Sequence, residues 1–211
     1  NAANTCRRRV VFLVLSCASA AALAADQRLS FINIANDGTQ LPAGAKLGPG
    51  PKDWACTRDN RTGLTWEVKT DDGGLRDSKF TYTPYESRPA TPGGFAGYRD
   101  ATSGRCVRSL MAGGSCNTEA YVEAVNKQRL CGFSDWRLPT VREMVRIAGE
   151  RTPEATPATA RAFPNTAEGW YWTGVVQDGQ TAYSRVILLP PGARAHFYDG
   201  SYLVRLVRGG Q

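Results

Sequence analysis

The clearest alternation of hydrophobic and polar positions in the chain runs from residue 64 to residue 69. Leu64, Trp66 and Val68 alternate there with three polar residues, and side chains of a β-strand return to the same face with a period of two. The preceding DNRTG sequence is rich in turn-forming residues. The pattern predicts a strand with one buried face and one exposed face.

Two short amphipathic helices are predicted in the middle of the chain. Asn117 precedes TEAYVEAVNKQR and is suited to cap a helix there, because its side chain accepts a hydrogen bond from an otherwise unpaired backbone N–H. Thr140 and Glu143 have the spacing of a capping box at the start of the second helix. Apolar residues at helical spacing predict the buried stripe of this helix: Val141, Met144, Val145 and Ala148.

Four short apolar runs follow a segment, RTPEATPATA, whose Pro, Thr and Ala content predicts a linker. The runs are WYWTGVV, TAYSRVILL, AHFY and YLVRLVR, and turn-forming residues separate them. Such spacing predicts an antiparallel meander. The order of strand, long loop, two helices and meander predicts an α+β domain whose helices are segregated from an antiparallel sheet.

Residues 71–115 show neither a helical nor a strand period and are rich in Gly, Pro, Ser, Thr and Asp. They predict a long surface loop. Loops of this length are uncommon inside a compact domain unless they are cross-linked or functional.

The first 24 residues have the order of an export signal. Arg7, Arg8 and Arg9 precede a short apolar run, and small residues then lead to Ala22-Leu23-Ala24, so we expect cleavage after Ala24. A retained membrane helix is disfavoured, because the apolar run is shorter than the roughly 20 residues that span a bilayer. The alternative is cleavage before Cys17, with a lipid on that cysteine.

The remaining chain predicts one domain. Residues 25–50 contain a short apolar piece, LSFINIA, and a Pro- and Gly-rich stretch, which together predict an N-terminal arm. Residues 51–211 are the predicted domain. Without residues 1–24 the chain has 23 Lys and Arg against 19 Asp and Glu, a balance of +4. This mild excess is not that of a dedicated nucleic-acid-binding protein.

Four of the six cysteines lie beyond residue 24. An even number in an exported chain is typical of disulfides, and four cysteines allow three pairings. A local bridge between Cys106 and Cys116 would close the VRSLMAGGS loop, and Cys56 would then pair with Cys131. No CxxC pair has zinc-site spacing, and we expect no metal and no other cofactor.

Several motifs, in their order along the chain, resemble the Lcl C-terminal domain family. They are CTRDNRTGLTWEVKT, DDGGLRD, CNTEAYVEAVN, LCGFSDWRLPTVREM, FPNT, YWTG and YLVRLVRGGQ, and they span roughly residues 50–211. The resemblance implies a C-type-lectin-like α+β fold and secretion or surface display in bacteria. The best-known members are collagen-like adhesins whose terminal domain binds sulfated glycosaminoglycans, and no collagen-like repeat occurs in this chain.

The SDWRLPT motif has a structural and a functional interpretation. In the first, Trp136 and Leu138 fill the core while Asp135 and Arg137 bond to the neighbouring backbone or to each other. In the second, Trp136 lines a ligand pocket and Arg137 anchors an anion. The structural interpretation is favoured, because helix capping and a disulfide already occupy the flanking residues.

Arginine and aromatic side chains are the remaining candidates for ligand contact. Arg142 and Arg146 lie one turn apart on the second predicted helix, and arginine forks suit sulfate and carboxylate groups. Tryptophan rings of the meander are able to stack on sugars. The alternative is that the arginines are only solvated and that the rings pack within the domain. The candidate ligand-binding residues are Arg137, Arg142, Arg146, Trp170 and Trp172.

Catalysis is not expected. The chain has one histidine, His196, and a catalytic histidine requires a free nucleophile beside it, whereas the cysteines are predicted to be paired. The prediction is therefore an exported bacterial binding or adhesion domain that contacts an acidic polysaccharide or a protein surface. It would be secreted, periplasmic or displayed on the cell surface, and bound to a membrane only if Cys17 is lipidated.

A second hypothesis is a structural subunit of the cell envelope or of an extracellular filament. Copies of the chain would join through the LSFINIA segment and exposed aromatic side chains.

Overall fold

The computed structural model describes residues 31–87, 97–99, 104–149, 155–174, 185–189, 196–197 and 200–210. The predicted export signal over residues 1–24 and the lipidation alternative at Cys17 lie outside the described residues. No helix in the described ranges is long and apolar enough to cross a membrane.

A five-stranded antiparallel sheet forms one layer of the protein. Its strands are β1 (Phe31–Ala35), β2 (Gln40–Leu41), β3 (Trp54–Asp59), β4 (Thr65–Glu67) and β8 (Val207–Arg208). Their order across the sheet is β2-β1-β3-β4-β8. The predicted arm therefore supplies two strands of this sheet. β1 pairs with β3 along its length on one side, and on the other side Asn33 and Ile34 pair with β2.

The predicted strand around Trp66 is present as β4, but the expected exposed face is buried. Thr65, Glu67 and Lys69 are all buried, as are the apolar residues between them. The prediction of a half-exposed strand was wrong because β4 lies inside the sheet and is covered on both faces. The alternating apolar and polar side chains of this strand therefore face two buried environments, one apolar and one polar.

The predicted four-strand meander is divided between two sheets. β5 (Gly169–Thr173), β6 (Arg185–Leu189) and β7 (His196–Phe197) form a three-stranded antiparallel sheet in that order. The YLVRLVR segment instead crosses to the larger sheet, where Val207 of β8 lies opposite Trp66. On the way, Leu203 forms a bridge with Tyr171, so the C-terminal segment joins the two sheets.

Both predicted helix starts are confirmed. α2 (Thr118–Lys127) is capped by Asn117, whose side chain accepts a hydrogen bond from the Ala120 N–H. At the start of α3 (Val141–Gly149), the Thr140 N–H donates to Glu143 Oε2 at 2.7 Å and the Glu143 N–H donates to Thr140 Oγ1 at 3.2 Å. These reciprocal bonds are the predicted capping box.

Two further helices lie where loops were predicted. α1 (Arg108–Ala112) is a short helix inside the loop closed by Cys106 and Cys116, and α4 (Ala155–Ala162) occupies the predicted linker. Pro157 does not prevent α4, because it lies in the first turn, where a backbone N–H has no partner within the helix. A 3₁₀ turn, Leu130–Gly132, follows α2.

The buried stripe of α3 differs from the predicted one. Met144 is buried as expected and Ile147 joins it, whereas 42% of Val145 is exposed. The described part of the stripe therefore runs through Met144 and Ile147 and excludes Val145. The side chain of Ala148 lies outside the described part of the chain.

Both predicted disulfides are present. Cys56 is bonded to Cys131, across 75 residues, and Cys106 is bonded to Cys116, across 10 residues. The first disulfide attaches β3 to the 3₁₀ turn. The turn after β1 packs closely against the same point, because a Cβ atom on Gly38 (φ +88°) would lie 2.8 Å from the carbonyl oxygen of Cys131.

The buried side chains form two clusters. One surrounds Trp136, Trp172 and the two disulfides, and the other surrounds Trp66, Met144 and Phe163. The architecture is therefore α+β, with antiparallel sheets, packed helices and two disulfides.

Candidate functional site

The SDWRLPT motif is anchored to the fold through Trp136. This side chain is buried, and its indole N–H donates to the carbonyl oxygen of Leu130 at 3.0 Å. Its backbone is held by Asn126, which accepts from the Trp136 N–H at 2.8 Å and donates to the Trp136 carbonyl at 2.9 Å. Trp136 is thus a core residue held at three points.

Arg137 forms a bidentate ion pair with Glu143. Its Nη1 and Nη2 atoms lie 2.9 and 2.8 Å from the two carboxylate oxygens, and Nη2 also donates to the carbonyl oxygen of Gly209 at 3.0 Å. Burial opposes ionisation of Glu143, but the bonds from Arg137 and from the Thr140 N–H outweigh it and hold the pKa of Glu143 below its ordinary value. Arg137 therefore connects the start of α3 to the C-terminal segment.

The two charged residues of the motif bond to partners other than each other. Asp135 accepts from Arg208 Nε at 2.7 Å and from Arg208 Nη2 at 3.0 Å. The Arg208 guanidinium also lies 3.7 Å from the ring centre of Phe133, within cation–π distance. The hydrogen bond from Arg208 holds the pKa of Asp135 below its ordinary value. The motif thus holds β8 in place, and its charges are already paired.

Arg142 and Arg146 are the candidate residues that the fold leaves on the surface. Both are exposed, one helical turn apart on α3. Neither forms a salt bridge with another described residue. Val145 lies beside Arg146 and is itself exposed. We call these three residues, Arg142, Val145 and Arg146, the α3 face.

The two candidate tryptophans of β5 point toward the protein interior. Trp172 is 0% exposed, and its indole N–H donates to the carbonyl oxygen of Tyr82 at 2.6 Å. Trp170 lies two residues away on the same strand face, is half-buried and packs against the same cluster. Trp172 therefore fills the core and presents no ring to a ligand, and Trp170 is partly covered by the same core cluster.

A buried polar cluster is the feature that sequence reasoning missed. Glu67 Oε1 accepts from Lys69 Nζ at 3.1 Å and from the Tyr121 hydroxyl, while Oε2 accepts from the Leu206 N–H at 2.9 Å. Lys69 Nζ also donates to the Tyr121 oxygen at 2.9 Å. Burial lowers the pKa of Lys69 below its ordinary value, although Glu67 opposes the shift, and burial raises the pKa of Tyr121.

The sequence offers little local signal for this cluster, because its members are far apart in the chain. Tyr121 is 54 residues from Glu67, and Leu206 is 139 residues from it. Arg205 was more visible, as an arginine inside the apolar YLVRLVR run. It is buried, donates to Thr166 Oγ1 at 2.8 Å and lies 5.0 Å from the ring centre of Phe163.

The residues that could ligate a metal ion are not clustered in the described ranges. No group of three or more His, Cys, Asp or Glu side chains there is placed to hold a metal ion. His196 lies in β7, and its side chain is outside the described part of the chain. The described cysteines are all disulfide-bonded.

Comparison with known proteins gives one match. The family model described as the Lcl C-terminal domain matches residues 55–208. No curated protein and no solved structure matches the chain. The matched range begins in β3 and ends in β8, so it includes both disulfides and the SDWRLPT motif.

Proposed function

Because the chain belongs to the Lcl C-terminal domain family, we propose that it is an exported, non-catalytic domain that binds acidic or sulfated glycan at the α3 face. One observation carries the proposal. Arg76, Arg137, Arg205 and Arg208 are all hydrogen-bonded within the protein, whereas Arg142 and Arg146 lie one turn apart on α3, exposed and without an ion-pair partner among the described residues.

The chemistry of the α3 face suits a polyanion. An arginine guanidinium donates two parallel hydrogen bonds to a sulfate or carboxylate, and two such groups one turn apart present repeated donors to a chain of repeated acids. Val145 between them offers apolar surface for the carbon skeleton of a sugar. Surface charge pairs weaken as salt increases, so binding at this face would be salt-dependent.

Export is supported by the two disulfides. Structural disulfides are typical of oxidising compartments outside the cytoplasm, and both connect elements of the described fold. The export signal over residues 1–24 belongs to the same proposal.

We also propose that the α+β architecture is C-type-lectin-like. The support is the family and the layout of the chain, in which the C-terminal segment returns to the sheet that contains the early strands. The fold by itself does not assign a ligand, so the proposed ligand depends on the α3 face.

Retention on immobilised heparin in low salt tests the proposal. The Arg142→Ala/Arg146→Ala variant is expected to elute at clearly lower salt than the wild type. The matched control is Arg105→Ala/Arg108→Ala, which removes two other exposed arginines and changes the net charge equally. The control is expected to stay close to the wild type.

Two results would contradict the proposal. Unchanged elution of the α3 variant would remove these arginines from the site. Equal shifts for both variants would show that heparin responds to net charge alone and that no specific face is involved.

A further inference from the structure

A groove of about 580 Å³ lies on a different part of the protein from α3. The turn after β1, the loop before β3, the segment after β4 and the end of α2 meet around it. Its volume is in the range of about 300–1,000 Å³ that small-molecule sites occupy. Apolar walls come from Pro49, Pro51, Leu75 and Leu130.

Arg76 is the cation among the described residues that line this groove. Only 9% of it is exposed, and its Nη1 atom donates to the carbonyl oxygens of Val68 at 2.8 Å and Ala55 at 3.0 Å. Its Nε and Nη2 atoms have no hydrogen-bond partner among the described residues. One side of the guanidinium is therefore fixed, and the Nε–Nη2 edge is a preformed pair of parallel donors that matches a carboxylate.

The acids of the groove limit the charge that a ligand can carry. Asp37 is paired with Lys52 at 2.6 Å, whereas Asp72 accepts hydrogen bonds from Thr70 Oγ1 and the Gly74 N–H, both at 2.8 Å. Asp72 therefore has no cationic partner among the described residues. It would repel a polyanion and would accept hydrogen bonds from hydroxyl groups.

Asn36 supplies a second acceptor. Its Nδ2 atom donates to the carbonyl oxygens of Gly50 at 2.9 Å and Gly48 at 3.0 Å, which fixes the orientation of the amide. Its Oδ1 atom accepts no hydrogen bond from another described residue. The groove therefore combines one fixed cation, oriented acceptors and apolar walls.

We propose that the groove binds a small hydroxylated monocarboxylate. The carboxylate would lie on the Nε–Nη2 edge of Arg76, and hydroxyl groups would donate to Asn36 Oδ1 and Asp72. The site is independent of the α3 face and differs from it in ligand, since it takes one negative charge where the α3 face takes several.

The direct test is the ¹⁵N-edited NMR signal of the Arg76 Nε–H during titration of the folded protein. D-Glucuronate is expected to shift this signal saturably, and D-glucose, the matched neutral sugar, is expected to leave it unchanged. Absence of a shift with glucuronate overturns the proposal. A shift with L-alanine but not with glucuronate also overturns it, because the carboxylate would then be recognised together with an ammonium group.

Two conservative variants test the proposed contacts and charge without touching Arg76. Asp72→Asn keeps one acceptor oxygen for Thr70 and Gly74 but puts an amide donor in place of the oxygen that would accept from the ligand hydroxyl, so glucuronate should bind about two- to fivefold more weakly. Gln128→Glu adds a charge at an exposed lining position and should weaken binding by a similar factor. Changes in the opposite directions would contradict the proposal.

A third variant separates this site from the proposed glycan site. Arg142→Ala/Arg146→Ala should leave the glucuronate affinity unchanged while it reduces heparin retention. A parallel loss of both affinities would overturn the inference of a separate site.

Discussion

At the scale of single residues, the described arginines of the SDWRLPT motif, of α3 and of the C-terminal segment divide into two groups by their partners. Arg137 is bonded to the carboxylate of Glu143 in α3, and Arg208 is bonded to that of Asp135 in the SDWRLPT motif. Arg205 is buried against Phe163. Arg142 and Arg146 remain exposed. The sequence alone did not separate the groups: Arg208 and its partner Asp135 are 73 residues apart, and the Arg137–Glu143 pair depends on the path of the chain into α3.

The Arg137–Glu143 pair leads to a stability prediction. Glu143→Gln removes the charge of one member of a bidentate pair. The side chains of Arg137 and Glu143 are 29% and 16% exposed. The free energy of unfolding at pH 7 should fall by about 1–2 kcal/mol, as measured by urea denaturation. Arg142→Gln, an exposed change on the same helix, is the control and should alter it by less than about 0.5 kcal/mol.

The same pair leads to a prediction of pH dependence. Since the folded protein lowers the pKa of Glu143, its stabilising contribution is complete above the ordinary value of about 4.3 and is lost as the pH falls through the lower folded pKa. The difference in unfolding free energy between wild type and Glu143→Gln should therefore be constant near neutral pH and shrink in acid. A difference that grows on acidification would contradict the assignment.

At the scale of elements, the sequence predicted the features that depend on residues close together in the chain, such as helix caps. Asn117 and the Thr140–Glu143 capping box were found because a cap and its target lie three residues apart. α4 was missed because its composition resembles a linker, although Pro157 in a first turn is compatible with a helix. Glu67 was expected on an exposed face because its partners come from α2 and the C-terminal segment.

In the buried cluster of Glu67, Lys69 and Tyr121, removal of one charge should destabilise the protein more than removal of both charges. Lys69→Met would leave the buried Glu67 carboxylate without its cation and should cost about 3–5 kcal/mol of unfolding free energy. The double variant Glu67→Gln/Lys69→Met removes both charges of the Glu67–Lys69 pair and should be less destabilised than the single variant. Thermal or urea unfolding of both variants gives the comparison, and a double variant that is the less stable of the two would contradict it.

At the scale of the whole molecule, the two disulfides should differ in what they contribute. A cross-link stabilises mainly by restricting the unfolded chain, so the Cys56–Cys131 bridge, which closes 75 residues, should contribute about 4.5 kcal/mol. The Cys106–Cys116 bridge closes 10 residues and should contribute about 2.7 kcal/mol. Urea unfolding of the two paired Cys→Ser variants should therefore show the larger loss for the first pair.

The family and the α+β architecture were accessible from sequence because long motifs and short-range patterns carry them. The location of a binding surface was not, because it depends on which charges the folded chain leaves without partners. Of the five candidate ligand contacts, Trp172 is in the core and Arg137 is paired with Glu143. Exposure and pairing, both properties of the whole fold, leave Arg142 and Arg146 as the strongest candidates.

Binding of an acidic glycan at the α3 face is measurable by NMR titration of the ¹⁵N-labelled domain with a heparin oligosaccharide. Backbone amide signals over residues 141–147 should shift saturably, and Arg142→Ala/Arg146→Ala should weaken binding at least about tenfold, equivalent to ~1.4 kcal/mol. Shifts confined to other parts of the protein, with residues 141–147 unchanged, would contradict it.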